Sequence, residues 1–237
     1  MRTGSIGAHN PHSASLEIFY HSRSLTAQPR IKGRTVTNRL VIATHNKGKA
    51  VEIKTLLGDI GWTLLSLDQF ENVGEATEDA ETYYGNAAAK ASYYARMTGE
   101  WVLADDSGLE VQALGGAPGA FSARYPGPNA SDSQRRLKLL TELTGVNDRR
   151  ARFVCLAAIA NSKGNIMKTA EGICDGVISQ KVCGTSGFGY DPIFIPMGFD
   201  LTFGELSEEI KNRISHRAKA IRGLLSFLEE RTGSLAI

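Results

Sequence analysis

The sequence predicts an α/β domain built on a mixed β-sheet, and three observations lead there. Short apolar runs alternate with helix-period segments through the first half of the chain. Two longer strand-like segments, 152–160 and 166–178, then flank the turn signal Asn161-Ser-Lys-Gly164 and read as a hairpin. A last helical pattern follows. Strand–helix–strand alternation implies parallel pairing and a hairpin implies antiparallel pairing, so the sheet is mixed and flanked by helices.

The elements follow in order. Arg39 to Thr44 is a short apolar run ending in polar residues, read as a buried strand. Gly48 to Gly61 spaces Val51, Ile53, Leu56, Leu57 and Ile60 as a helix would. Thr63 to Leu67 is a second strand. Glu81 to Met97 is alanine-rich and puts Tyr83, Ala87, Ala91 and Tyr94 on one helical face. Trp101 to Ala104 is a third buried strand. Asp132 to Leu143 is a helix capped by Ser131 or Asp132 and followed by Gly145. The hairpin comes next, and a helix from about Ser215 to Arg231 places Ala218, Ile221, Leu225 and Leu228 toward a core.

Composition narrows the function class. The 237 residues are 42% hydrophobic and 22% charged, enough for one large domain or a domain with an extension. No apolar run approaches membrane-spanning length, so no membrane partner is expected. Cys155, Cys174 and Cys183 form no CxxC pair, which argues against a disulfide framework or a zinc site. Residues 1–39 hold six basic residues against Glu17, leaving 21 basic and 24 acidic residues in the remainder. A mildly acidic body is a poor match for nucleic acid. Residues 1–38 lack apolar periodicity and read as a disordered basic extension of a cytoplasmic protein, with an organellar transit segment as the alternative. Residues 39–237 read as a single domain.

Five segments carry candidate chemistry. Thr44, His45, Asn46, Lys47, Gly48 and Lys49 form a strand-to-helix turn with exposed N–H groups, an amide and two cations, suited to phosphate oxygens. Alone it is also what a solvated basic turn looks like. Asp105, Asp106, Ser107 and Gly108 follow a buried strand, where open α/β sheets bind ligands. Consecutive side chains there point opposite ways, so one acid can face a metal and the other the structure. Hard carboxylates suit Mg²⁺; an Asx-type turn is the plain alternative. The acidic stretch Glu75 to Thr82, with Glu78, precedes a helix bearing Asn86 and Lys90 on one face. Its acids also simply suit a helix dipole. In Gly184 to Pro192, three glycines permit close approach, Phe188 and Tyr190 offer faces to a base, and Gly189 and Asp191 complete the loop. Finally Lys211, His216 and Arg217 sit at or before the first turn of the last helix, where cations oppose the dipole. Such a local inconsistency marks functional sites.

Taken together these segments resemble the inosine triphosphate pyrophosphatase family, also called RdgB/HAM1, from about Arg39 to Leu228. The family markers stand in order: Thr44-x-Asn46-x-x-Lys49, Glu78 with Thr82, Asn86, Ala87 and Lys90, Ala104-Asp-Asp-Ser-Gly-Leu109, Gly115-Gly-Ala-Pro-Gly119, Ser122-Ala-Arg-Tyr125, Gly187-Phe-Gly-Tyr-Asp-Pro192, and Lys211 with Ser215-His-Arg217. The resemblance implies an elongated fold of two lobes with the active-site cleft between them, usually a homodimer. It implies Mg²⁺-dependent hydrolysis of ITP, dITP and XTP to the monophosphate and pyrophosphate. Thr44 to Lys49 would hold the triphosphate, Glu78 and Asp106 the Mg²⁺, and Asp106 would act as base with Lys49 and Lys90 beside it. Ser107, Phe188 to Asp191, Lys211, His216 and Arg217 would read the purine. Two departures stand out: Gly85 replaces the acid that often precedes the family Asn, and Lys47 occupies a variable position. A Maf-type nucleotide pyrophosphatase is the competing enzyme class, but its signature uses Ser and Arg near the N-terminus. A regulatory module that binds nucleotide without turnover would not need Glu78 and Asp106.

Overall fold

A computed structural model describes residues 38–233. The N-terminal extension expected at 1–38 lies outside the described residues, except that Asn38 already opens the first strand. The elements run β1 (Asn38–Ile42), α1 (Lys47–Leu57), β2 (Trp62–Ser66), α2 (Tyr83–Thr98), β3 (Trp101–Val111), β4 (Pro118–Gly119), α3 (Asp132–Glu142), β5 (Arg150–Ala160), β6 (Ile166–Ile178), β7 (Phe194–Pro196), α4 (Glu208–Ile214) and α5 (His216–Gly233). No helix among the described residues is long and apolar enough to cross a membrane.

The strands form one mixed sheet in the order β2-β1-β3-β5-β6-β7, with β4 paired to β3. β1 pairs in parallel with both β2 and β3, and the β3–β5, β5–β6 and β6–β7 pairs are antiparallel. The parallel pairs require crossovers, which α1 and α2 supply. The first crossover leads from β1 to one side and the second returns to its other side, so the connections diverge between β1 and β3. Ligands bind at such a switch point, beyond the carboxyl ends of the strands.

One difference from the sequence reading decides where the acids sit. The third strand does not stop at Ala104 but runs to Val111, because β5 pairs it from Val102↔Ala160 through Val111↔Ala151. β1 pairs only with Trp101 to Leu103. Ala104 onward therefore projects past the end of β1 into the switch-point crevice, still held in strand geometry. Gly108 is needed there: a Cβ would stand 2.1 Å from the carbonyl oxygen of Gly119 on β4. The short elements β7 and α4 carry too few residues for a periodic signal.

The sheet's two faces have separate cores. Leu40, Ile42, Leu103, Cys155, Ala157 and Ile159 pack under Ile53 and Leu57 of α1 and Ile221, Leu224 and Leu228 of α5. On the opposite face Val41, Ala43, Val102, Ala104 and Ala158 meet Ala87, Ala91, Tyr94 and Ala95 of α2. The alanines let α2 lie close to β3. A third cluster joins Leu109, Val111, Leu139, Phe153, Phe194 and Phe203 at the far end of the long strands. Each fully buried Leu, Ile or Phe contributes about 1.5–3 kcal/mol.

Candidate active site

α1 starts where β1 ends, and Asn46 caps it. The Asn46 Oδ1 accepts from Lys49 N at 3.0 Å, and Thr44 Oγ1 accepts from Asn46 N at 3.2 Å. Asn46 Nδ2 has no protein partner among the described residues, so that donor remains for a ligand. No acid sits in the first turn of α1, which leaves the positive end of its dipole uncompensated. Lys49 Nζ lies 3.2 Å from Asp105 Oδ2. Two neighbours expected to hold phosphate stand apart from this arrangement. The His45 ring turns to Tyr94, with Nε2 3.1 Å from the hydroxyl, and Lys47 is exposed beside an outer recess lined also by Val51 and Thr55.

Strand alternation sends the two acids of β3 to opposite faces. Asp105 is fully buried on the α1/α5 side, where its Oδ2 accepts from Lys49, from Arg217 Nε and Nη2 at 3.2 Å, and from the Cys155 thiol. Burial pushes its carboxyl up, but Lys49, Arg217 and Lys90 pull harder and hold it well below the ordinary range. Its Oδ1 is buried without a partner. Asp106 faces α2: Oδ2 accepts from Asn86 Nδ2 at 3.0 Å and Oδ1 from Ser107 N at 3.0 Å. Burial raises its carboxyl above the ordinary aspartate value, against the pull of Lys49, Asn86 and Lys90. An acid held high in pKa and fixed by an amide is suited to take a proton. Lys90 spans the faces, donating to the Asp105 carbonyl at 3.0 Å and pairing with Glu78 at 2.8 Å.

α4 and α5 bring the second set of cations. Ser215 caps α5, its Oγ accepting from Ala218 N at 3.2 Å. Gly172 of β6 allows this start to sit close, since a Cβ there would lie 2.0 Å from the His216 carbonyl. Arg217 is fully buried and spends its donors on Asp105, on Glu52 and on Ser107 Oγ at 3.0 Å. Lys211 on α4 pairs with Glu52 and Asp191, both at 2.6 Å. Burial disfavours its charge, yet Asp191 and Glu52 hold its pKa above the ordinary lysine value. The sequence reading passed over Glu52, although it sits one helical turn after Lys49. It is the carboxylate that joins Lys211 to Arg217.

The glycine-rich loop closes the cleft. Asp191 Oδ2 accepts from Phe188 N at 2.8 Å, and Gly187 makes room for it: φ is +74° and a Cβ would stand 2.2 Å from that oxygen. From the other side α3 grips Gly189, with Asp132 accepting from its N–H and Arg136 donating to its carbonyl, both at 2.7 Å. Phe188 leans on Gly48, with Lys211 Nζ 4.8 Å and the Arg217 guanidinium 5.7 Å from its ring centroid. Tyr190 differs from expectation. Its ring is buried and its hydroxyl donates to the Ser122 carbonyl at 3.1 Å, so it forms a wall and has no open stacking face. His216 is likewise buried, its ring stacked on Phe153 at 4.6 Å with Nδ1 unpaired. Burial, then Arg217 and Lys211, push its pKa well below the usual histidine value, so it is neutral.

One cleft is therefore lined by Asn46, Lys49, Ser107, Phe188, Gly189, Tyr190, Asp191, Lys211, His216 and Arg217. Asp106 and Glu78 lie on the α2 side of β3. Among the described residues no group of three His, Cys, Asp or Glu side chains forms a ready metal cage. Glu78 and Asp106, two carboxylates that both interact with Lys90, nonetheless fit Mg²⁺, which takes one or two carboxylates and completes its shell with other oxygens.

A family model described as Ham1 family matches residues 40–227. A "dITP/XTP pyrophosphatase" of Desulforamulus reducens is 48% identical over 192 residues, covering 80% of this chain and 95% of that protein. One from a Nostoc species is 45% identical over 190 residues, covering 80% and 94%. Among solved structures, a HAM1 protein from Coxiella burnetii is 38% identical with a TM-score of 0.74, covering 81% of this chain and 99% of that one. The Staphylococcus aureus Ham1 protein gives 39%, 0.73, 82% and 100%.

Proposed function

The chain belongs to the Ham1 family, and on that premise we propose that it is a Mg²⁺-dependent nucleoside triphosphate pyrophosphatase. Its substrates are ITP, dITP and XTP, and its products the monophosphate and pyrophosphate. The names of the similar proteins, dITP/XTP pyrophosphatases, support the substrate class. The same reading includes a homodimeric, cytoplasmic enzyme.

One observation carries the base preference. Arg217 has five N–H donors, of which Asp105 takes two, Glu52 one and Ser107 one. Lys211 has three, of which Glu52 and Asp191 take two. By that count each cation keeps one N–H without a protein partner, and both cations lie near Phe188. A 6-oxo purine stacked on Phe188 presents O6 as an acceptor and N1–H as a donor. Adenine presents a 6-amino donor where O6 would be, which sets donor against donor at that position, a costly outcome in a buried site.

The phosphates extend toward Asn46, Lys49 and the start of α1. Glu78 and Asp106 would hold Mg²⁺, which when bound neutralises phosphate charge in the transition state. Asp106, fixed by Asn86 and raised in pKa by burial, takes the proton of the attacking water. Lys49 shifts from Asp105 to phosphate oxygen, and Arg217 keeps Asp105 paired as it does so. Steady-state rates on ITP, dITP and XTP against ATP test the reading. Preference for the first three by tenfold or more in kcat/KM is expected, and equal turnover of ATP would contradict it.

A further inference from the structure

Residues 73–82 have no regular secondary structure, so no ladder or helix fixes Glu78. Among the described residues five polar contacts tie residues 75–81 to the fold, beside the packing of Ala76 on the core. Four come from α2. Tyr94 Oη accepts from Ala76 N at 3.3 Å, Asn86 Oδ1 accepts from Ala80 N at 2.9 Å, and Asn86 Nδ2 donates to the Ala80 carbonyl at 3.1 Å. Lys90 holds the Glu78 carboxylate at 2.8 Å. The fifth is Arg124, whose Nη2 donates to the Glu78 carbonyl at 3.0 Å.

Arg124 ends the one-turn segment Ser122–Arg124, and that turn is fastened to the strand that carries Asp106. Ser122 Oγ accepts from Leu109 N at 2.8 Å and donates to the Gly119 carbonyl at 2.7 Å. The guanidinium is 4.9 Å from the Phe121 ring centroid, which limits its swing. A continuous path thus runs from Asp106 along β3, through Ser122 and Arg124, to the backbone of Glu78. Asn86 makes the other link, since its Nδ2 reaches both Asp106 and Ala80. Arg124 itself does not line the nucleotide cleft.

We propose that Arg124 is a positioning residue for the metal, fixing the backbone of Glu78 so that its carboxylate and that of Asp106 share one divalent cation. The proposal rests on the reading of Glu78 and Asp106 given above. Without Arg124 the polar contacts of the Glu78 segment come from α2 alone, with Ala76 packed on the core at one end, and the Glu78 carboxylate, more than a third exposed, has only Lys90 to orient it. The cation must then order the segment as it binds. Metal affinity falls, while chemistry at saturating metal is kept because Arg124 touches neither Asp106 nor Lys49.

The test uses full-length protein with Arg124→Ala, Arg124→Lys and, as a control, Glu78→Gln. Calorimetry measures binding of Mn²⁺ alone, without nucleotide, and Mg²⁺ activation curves are recorded with saturating ITP. Arg124→Ala should weaken Mn²⁺ binding and raise the half-activating Mg²⁺ together by about tenfold, the usual scale for losing a residue that orients a metal ligand. Its kcat at saturating Mg²⁺ should match wild type, and Arg124→Lys, which still donates, should recover most of the affinity. Unchanged Mn²⁺ binding in Arg124→Ala overturns the proposal, and a raised KM for ITP alone would place Arg124 on the phosphates. Equal losses in the Lys and Ala variants, both with lower melting temperature, would make its role merely structural and also overturn it. If Glu78→Gln binds Mn²⁺ as wild type does, the metal reading itself falls and takes the proposal with it.

Discussion

Arg217→Lys probes base recognition more cleanly than Arg217→Ala. Removing the guanidinium altogether would leave the buried Asp105 with Lys49 as its one salt-bridge partner and the half-buried Glu52 with Lys211, so it would disturb the framework as well as remove the donor. Lysine keeps the positive charge but has three donors, and Asp105, Glu52 and Ser107 absorb all of them. The N–H proposed to reach O6 is then gone. Losing a charged hydrogen bond in a buried site costs about 1.5–3 kcal/mol, which is roughly ten- to a hundredfold in kcat/KM. ATP offers no acceptor at the 6 position, so its kcat/KM should fall far less, and the ITP/ATP ratio should shrink by most of that factor. The assay is pyrophosphate release from each nucleotide at saturating Mg²⁺, with a thermal melt confirming that the variant is folded. Equal losses for ITP and ATP would refute the reasoning and put Arg217 on the phosphates or on the framework alone.

Asp106→Asn should lower kcat by about a hundredfold or more, the scale of general-base loss. Because burial raises the Asp106 pKa, its ionised form costs stability at neutral pH, so the same variant should melt no lower than wild type at pH 7; a loss under about tenfold with unchanged circular dichroism would remove Asp106 from the mechanism. Acid stability follows Asp105 and Glu52. Burial raises both carboxyls, but Lys49 and Arg217 on Asp105, and Arg217 and Lys211 on Glu52, bring the net shift down. Depressed acids stabilise the fold above their unfolded values, near pH 4, and that stability is lost as pH falls. Melting temperature should decline from about pH 5 downward, and a flat profile to about pH 3 would contradict the pairing.

Much of this site was legible in the sequence, and the parts that were not share physical causes. The strand-to-helix turn at Thr44 to Lys49, Asn86 and Lys90 on one helical face and the start of the last helix near Ser215 all follow from local spacing. The opposed faces of Asp105 and Asp106 follow from the two-residue strand period. The length of β3 does not, because the continuous hold on Asp105 to Val111 is the pairing with β5, which lies some forty residues downstream, with β4 adding only Leu109 and Glu110. Glu52 was hidden among ordinary helix residues, since its meaning depends on Lys211 and Arg217 arriving from the far end of the chain. The misplaced cations at the start of α5 were a visible signal, and Asp105 and Glu52 are the answer to it. Tyr190 shows the converse limit: an aromatic in a glycine-rich loop looks available, and only the packing of its neighbours shows its ring to be buried.

The central claim is that water attacks the α-phosphorus and pyrophosphate leaves. Hydrolysis of ITP by the full-length protein in ¹⁸O-water with Mg²⁺, followed by mass spectrometry of all products, tests it most directly. The account predicts IMP carrying one ¹⁸O and unlabelled pyrophosphate. Label in the pyrophosphate, or inosine diphosphate with labelled orthophosphate, would contradict it.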